Sequence, residues 1–148
     1  MSLSQRENQI LRLAESWIGT PYRHQARIKH VGCDCLGLVL GVWEELYGKA
    51  PIAKTNYSKD WAETSDRDHL LLAAQSNLCQ IDFDSARPGD VILFRWSQFS
   101  VSKHLGILAQ SAHMIHAFEG HAVSKALIVP SWRRRISGVF RFPETIRD

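Results

Sequence analysis

A chain of 148 residues with 45% apolar and 22% charged side chains can bury its own core and is too apolar to stay unfolded, so disorder is excluded and one domain over residues 1–148 is expected. Its formal net charge of +3 is mild, and no nucleic-acid partner is expected. The three cysteines are an odd count with Cys33 and Cys35 too close to bridge, so free thiols are expected.

Ser4-Gln5-Arg6-Glu7 has the spacing of a capping box, and Ile10, Leu13, Ala14 and Trp17 recur at three- and four-residue intervals. Together they predict an amphipathic helix over residues 5–18, ended by Gly19 and Pro21. Residues 22–32 carry Arg23, His24, Arg27, Lys29 and His30 without a period and read as a basic loop. The apolar run that follows Cys33-Asp34-Cys35 continues through Trp43, Leu46 and Tyr47 to Gly48. This predicts a buried helix, with Cys33 or Asp34 as its cap and Gly48 as its left-handed stop. Residues 49–65 read as a long surface connection. Leu70, Leu71, Ala74 and Leu78 then restore helical spacing after a Ser65 cap. Beyond the turn Arg87-Pro88-Gly89-Asp90 the chain changes to short strands, at residues 91–94, 104–108, 114–118, 122–127 and 136–142. Helices followed by a strand meander predict an α+β domain with the helices packed on an antiparallel sheet. Arg133-Arg134-Arg135 with Arg141 reads either as a solvated face or as an anion-binding patch. No stretch reaches the length of a membrane span, and the polar start, Met1-Ser2-Leu3-Ser4, carries no secretory signal.

Cys35 falls in the first turn of the second helix, where unpaired backbone N–H groups and the positive end of the helix dipole favour thiolate. That makes it a candidate nucleophile, beside the alternative of a small buried hydrophobe. If Gln110-Ser111-Ala112 is a hairpin loop, residue 109 opposes 113, 106 opposes 116 and 104 opposes 118. His104 and His116 are then diagonal neighbours on one face, about 7 Å apart. Cysteine catalysis needs a thiol, a base that takes its proton and a group that orients the base; Cys35, His104 and His116 supply these. A zinc site from Cys33, Cys35, His113 and His116 is disfavoured. Cys33-x-Cys35 is tighter than the usual ligand spacing, and His113 and His116 would face opposite sides of a strand. No phosphate-cradling loop and no Ser-centred nucleophile elbow is present.

The segments Trp17-Ile18-Gly19-Thr20-Pro21-Tyr22, Cys33-Asp34-Cys35-Leu36-Gly37-Leu38-Val39, Arg87-Pro88-Gly89-Asp90-Val91, His104-Leu105-Gly106-Ile107 and Met114-Ile115-His116-Ala117 resemble, in order, the motifs of the NlpC-type cell-wall peptidases. These are papain-like cysteine peptidases. Tyr22-Arg23-His24-Gln25, Trp43-Glu44-Glu45-Leu46-Tyr47-Gly48, Trp61-Ala62 and Trp132-Arg133-Arg134-Arg135 more narrowly resemble the branch found in phages and gene-transfer agents. The resemblance implies a papain-like α+β fold whose N-terminal helices carry the cysteine and whose antiparallel sheet carries the histidines. It makes Cys35 the nucleophile, His104 the base and acid, and His116 the orienting residue. Tyr22 would line the cleft and Asp34 would receive the amino end of the substrate. The implied substrate is a peptide stem of bacterial peptidoglycan, cut without a cofactor or metal.

That resemblance also implies phage tail proteins as partners, synthesis in a bacterial cytoplasm without a signal peptide, and action at the cell wall within a phage-like particle. The chain departs from the family pattern in two places. Leu36 stands at a substrate-facing position where most members carry a small hydroxyl residue, and residues 24–31 replace a Gly-rich, Trp-containing segment. Both touch substrate selection and leave the cleaved bond open. The replacing loop is read either as a ring of positive charge that attracts the carboxylates of stem peptides or as a solvated connector. The competing functions are a non-catalytic tail-tip or assembly protein that binds the wall, and an acyltransferase with the same Cys-His chemistry.

Overall fold

The capping box forms as read. Ser4 Oγ accepts the Glu7 N–H at 3.1 Å and the Glu7 carboxylate accepts the Ser4 N–H at 3.0 Å, starting α1 (Gln5–Glu15). These coordinates are a computed structural model that describes residues 2–51 and 67–145. α1 is one turn shorter than the spacing predicts. Trp17 and Ile18 donate to the carbonyls of Ala14 and Glu15, the i→i−3 pattern by which a helix tightens and ends.

The basic loop contains a two-stranded antiparallel ribbon, β1 (Arg27–Ile28) with β2 (Gly32–Cys33). Its turns place Gln25 and His30 at positive φ, 62° and 66°, where sequence reading looks for glycine. α2 (Cys35–Tyr47) follows, capped by Asp34 and closed by Gly48 at φ 81°. Most of the connection expected at 49–65, from residue 52 on, lies outside the described residues, as does Ser65. The cap of α3 (His69–Asn77) is Asp68, whose carboxylate accepts the Leu71 N–H at 3.0 Å.

Six strands form one antiparallel sheet: β3 (Cys79–Ile81), β4 (Val91–Arg95), β5 (Ser102–Leu108), β6 (His113–Phe118), β7 (His121–Leu127) and β8 (Ile136–Arg141). Their order is β3-β8-β4-β5-β6-β7. β4 to β7 are the expected meander. The chain then crosses back through a four-residue helix, α4 (Pro130–Arg133), and β8 pairs on the far side of β4. Neither β3 nor α4 is foreseen by the sequence, because three- and four-residue elements carry no usable period.

Odd-numbered residues of β4, β5 and β6, such as Leu93, Leu105, Ile107 and Ile115, pack with the helices in the main core. Ile92, Phe94 and Met114 build a smaller core on the other face with Trp132 and Ile136. This is the α+β architecture expected, with the helical half laid on one face of the sheet. No helix among the described residues is long and apolar enough to cross a membrane. The β7 edge is tied to the end of α1: Gly19 donates to the Val123 carbonyl at 2.8 Å and Val123 donates to the Thr20 carbonyl at 2.9 Å. The arginine cluster divides. Arg141 pairs with buried Asp90 through Nε and Nη2, at 2.9 and 3.0 Å, and Arg133 lies over the Phe83 ring at 5.2 Å.

Candidate active site

Cys35 is the first residue of α2, immediately after its cap. Asp34 is 3% exposed, and its two carboxylate oxygens accept the Gly37 and Gln25 N–H groups at 2.7 Å each. The same residue's N–H donates to the Ala26 carbonyl at 3.2 Å. One side chain thus starts the helix and fastens the β1–β2 ribbon to it. Gly37 leaves the room this needs, since a Cβ there would lie 2.0 Å from the Ala26 oxygen.

Opposite Cys35 the sheet parts. The Leu108 N–H donates to Asp90 at 2.7 Å and its carbonyl accepts from Gly89 at 2.8 Å, so its polar groups face β4. Backbone groups alternate along a strand, and those of Leu105 therefore face β6. The β5–β6 ladder, however, consists of Ile107↔Ile115 and Leu108↔Met114, and Leu105 lies beyond it. Its N–H instead reaches Sγ of Cys35. The thiol sits in the gap where the two strands separate, one peptide unit from His104.

The predicted hairpin register is the observed one: Ile107↔Ile115 belongs to the same series as 106 against 116 and 104 against 118. His104 and His116 meet across it, with His104 Nε2 2.9 Å from His116 Nδ1. Gly106 stands in that series directly across from His116; a Cβ there would come within 3.2 Å of the His116 Cβ. His104 is 3% and His116 7% exposed. Burial, with the His116 charge second, pushes His104 down to about 3, and burial with the nearby His121 charge lowers His116.

The partly exposed Cys35 is held toward its neutral thiol. Burial, and after it the Asp34 carboxylate, push the thiol up to about 12, only partly offset by the N–H groups of Leu105, Leu36 and Cys35 itself. The helix start that was expected to favour thiolate is spent on its own cap, whose negative charge lies beside the sulfur. A neutral thiol and a neutral imidazole pair make up the resting site.

Tyr22 is half-buried, and its hydroxyl is held well above the ordinary phenol range by burial and by the negative charges of Cys35, Asp34 and Glu119. It therefore stays a protonated donor. Leu36 is 8% exposed and packs in the main core with Leu105, so the part of it that meets the site is its backbone N–H. Cys33 is fully buried in the same core and pushed up to about 12 by burial. Two of the five basic loop side chains are engaged on α2: Arg27 pairs with Glu44 at 3.0 Å and Lys29 with Glu45 at 2.7 Å. The loop binds the ribbon to α2, and these two charges do not ring an open mouth.

Sequence reading missed the rings around the histidines. Phe94, Trp96, Phe118 and Trp132 all lie within 6.2 Å of His104, centroid to centroid. The signal for Phe118 was present, since the hairpin register already set 104 against 118. Phe94 needed the β4–β5 register, Phe94↔His104.

The NlpC/P60 family model matches residues 19–141. The chain is 25% identical over 112 residues, 76% of its length and 62% of the other's, to the "Probable endopeptidase NlpC" of Escherichia coli strain K12. It is 25% identical over 134 residues to the "Gamma-DL-glutamyl hydrolase" of Bacillus subtilis strain 168, covering 90% of this chain and 29% of that protein. The chain thus spans less than two thirds of the length of either relative. An NlpC/P60 family protein from Bacillus cereus ATCC 10987 shares the fold, with a TM-score of 0.68 at 18% identity, covering 92% of this chain and 40% of that one.

Proposed function

The chain belongs to the NlpC/P60 family, and from that premise we propose that it is a cysteine peptidase that hydrolyses an amide bond in the peptide stems of peptidoglycan. The observation that carries this reading is the 2.9 Å His104–His116 pair, with the N–H of the next residue, Leu105, on the sulfur of Cys35 at a helix start. A wall-binding module needs neither the buried imidazole pair nor the thiol.

Starting from a neutral pair, attack and proton transfer go together. Sγ bonds to the carbonyl carbon as its proton passes to Nδ1 of His104. His104 then carries both N–H groups, and the one on Nε2 already has an acceptor in Nδ1 of His116. That requirement fixes His116 as the tautomer protonated on Nε2. The oxyanion is held by the Cys35 N–H and the Tyr22 hydroxyl. His104 gives its proton to the departing amine, next deprotonates water, and the thioester is hydrolysed. Asp34, with both oxygens on backbone N–H groups, acts by holding this geometry. No step calls for a cofactor.

The name of the Bacillus relative supports a bond at the γ-carbonyl of D-glutamate as the one cut. The resemblance of the Tyr22-to-Gln25 and Trp132-to-Arg135 segments to the phage and gene-transfer-agent branch supports delivery to the wall in a phage-like particle, after synthesis in the bacterial cytoplasm. Mass analysis of purified particles checks that part.

Digestion of defined muropeptides tests the chemistry. We expect products cut at the D-glutamyl bond, none with Cys35→Ala, and about 10- to 100-fold slower cleavage with His116→Ala. Muropeptides bound but uncut by the wild type would sink the peptidase reading. Transfer of the acyl group to an added amine in preference to water would make the protein an acyltransferase.

A further inference from the structure

We propose that Trp132 is a positioning residue for the catalytic histidines: the β7–β8 crossover lays its indole across the His104–His116 pair from the sheet face opposite the helices, keeping the pair dry and in one orientation. In its catalytic consequence this rests on the peptidase reading above.

Topology places the residue there. β7 is the edge strand and β8 lies beyond β4, so the connection between them must cross β6, β5 and β4. It is pinned at both ends. The Ile128 N–H donates to the Ala112 carbonyl at the hairpin loop, and the Arg135 carbonyl accepts the Arg95 N–H at the end of β4, each at 2.8 Å. Between these anchors α4 has only four residues and no side-chain cap, too little to hold a fixed place by backbone bonds alone. What seats it is the indole. Trp132 lies 5.5 Å from His104 and 6.0 Å from His116, and 5.2, 5.5 and 5.6 Å from Phe94, Trp96 and Phe118. It touches every other ring of the cluster. Trp96 is 36% exposed and stacks on His104 at an interplanar angle of 17°, so it forms the outer wall while Trp132 fills the centre.

The effect on the base follows from solvation. An imidazole 3% exposed and walled by rings on this side is little solvated when it becomes a cation, and the proton it accepts must be shared with His116. Among the described residues, β7 brings His121, α2 brings Cys35 to the adjoining Leu105 N–H, and β4, β6 and α4 bring rings.

The test is an NMR titration of the His104 ring between pH 4.5 and 8 in the wild type, Trp132→Phe, Trp132→Leu and Trp132→Ala. The wild-type ring is expected to stay neutral throughout, and Trp132→Phe to keep that behaviour. In Trp132→Ala the ring should titrate inside the window, a rise of about one and a half units or more. The ratio of kcat/KM at pH 5 to that at pH 8 should fall at least about threefold with it. Should Trp132→Ala not fold, Trp132→Leu is read in its place, since it keeps apolar cover without a ring. A folded variant whose His104 still stays neutral to pH 4.5, or an equal shift in Trp132→Phe, would overturn the proposal. The titration uses no substrate, so it stands or falls apart from the peptidase reading.

Discussion

The Asp34 carboxylate meets two backbone N–H groups at 2.7 Å and so holds a negative charge one residue from Sγ. It is the second cause, after burial, of the raised thiol. Asp34→Asn removes that charge while keeping one acceptor oxygen. The amide can satisfy only one of the two N–H groups, so a loss of about 1–2 kcal/mol of stability is expected. Iodoacetamide should meanwhile label Cys35 faster at pH 7 in the variant, by up to about tenfold, because more of the sulfur is thiolate. In the wild type, labelling of Cys35 should climb steadily with pH through the neutral range, while fully buried Cys33 stays inert. Identical pH–rate curves for the two proteins, followed by mass spectrometry, would mean that the sulfur does not feel Asp34.

At the scale of elements, Trp17, just past the end of α1, lies on Gly41 of α2. A Cβ at Gly41 would fall 2.1 Å from the indole, and the ring cannot simply turn away because its N–H donates to Glu45 at 2.5 Å. Gly41→Ala gains about 1 kcal/mol of helix propensity and loses about 1–3 to overpacking. We expect net destabilisation of up to about 2 kcal/mol, read as a drop in Tm of a few degrees, with little change in activity per folded molecule; a rise in Tm would show that α1 shifts freely. α1, α2 and the histidine hairpin were legible in the sequence because each carries its own ruler. α1 opens on a capping box, α2 runs from the Asp34 cap to Gly48, and a three-residue loop sets the 104-to-116 diagonal. The ribbon was not legible, since its turns use Gln25 and His30 where glycine is the usual sign. The ring cluster was hidden for another reason. It depends on β8 crossing three strands to pair with β4, and no local pattern announces a long-range return.

Across the whole molecule, the buried histidines link folding to pH. The unfolded chain binds a proton on each imidazole near pH 6.5, whereas the fold pushes His104 down to about 3 and lowers His116 as well. Below pH 6.5 the unfolded state therefore binds protons that the native state refuses. The stability contributed is complete above that value and is lost as pH falls toward 3, on the order of 4 kcal/mol for His104 at the bottom of the window. Urea unfolding at pH 7 and pH 4.5 should show the loss, and His104→Gln should flatten it; an unchanged slope in the variant would place the acid sensitivity elsewhere.

The parting of β5 from β6 has one more consequence. Past Ile107↔Ile115, the strand bearing His104 keeps β4 on one side and has sulfur on the other, through the Leu105 N–H. Under the peptidase proposal the amide proton of Leu105 becomes a built-in gauge of that sulfur: its resonance should answer to whether Cys35 is a thiol or a thioester, so that turnover would be visible in the backbone without a chromophore.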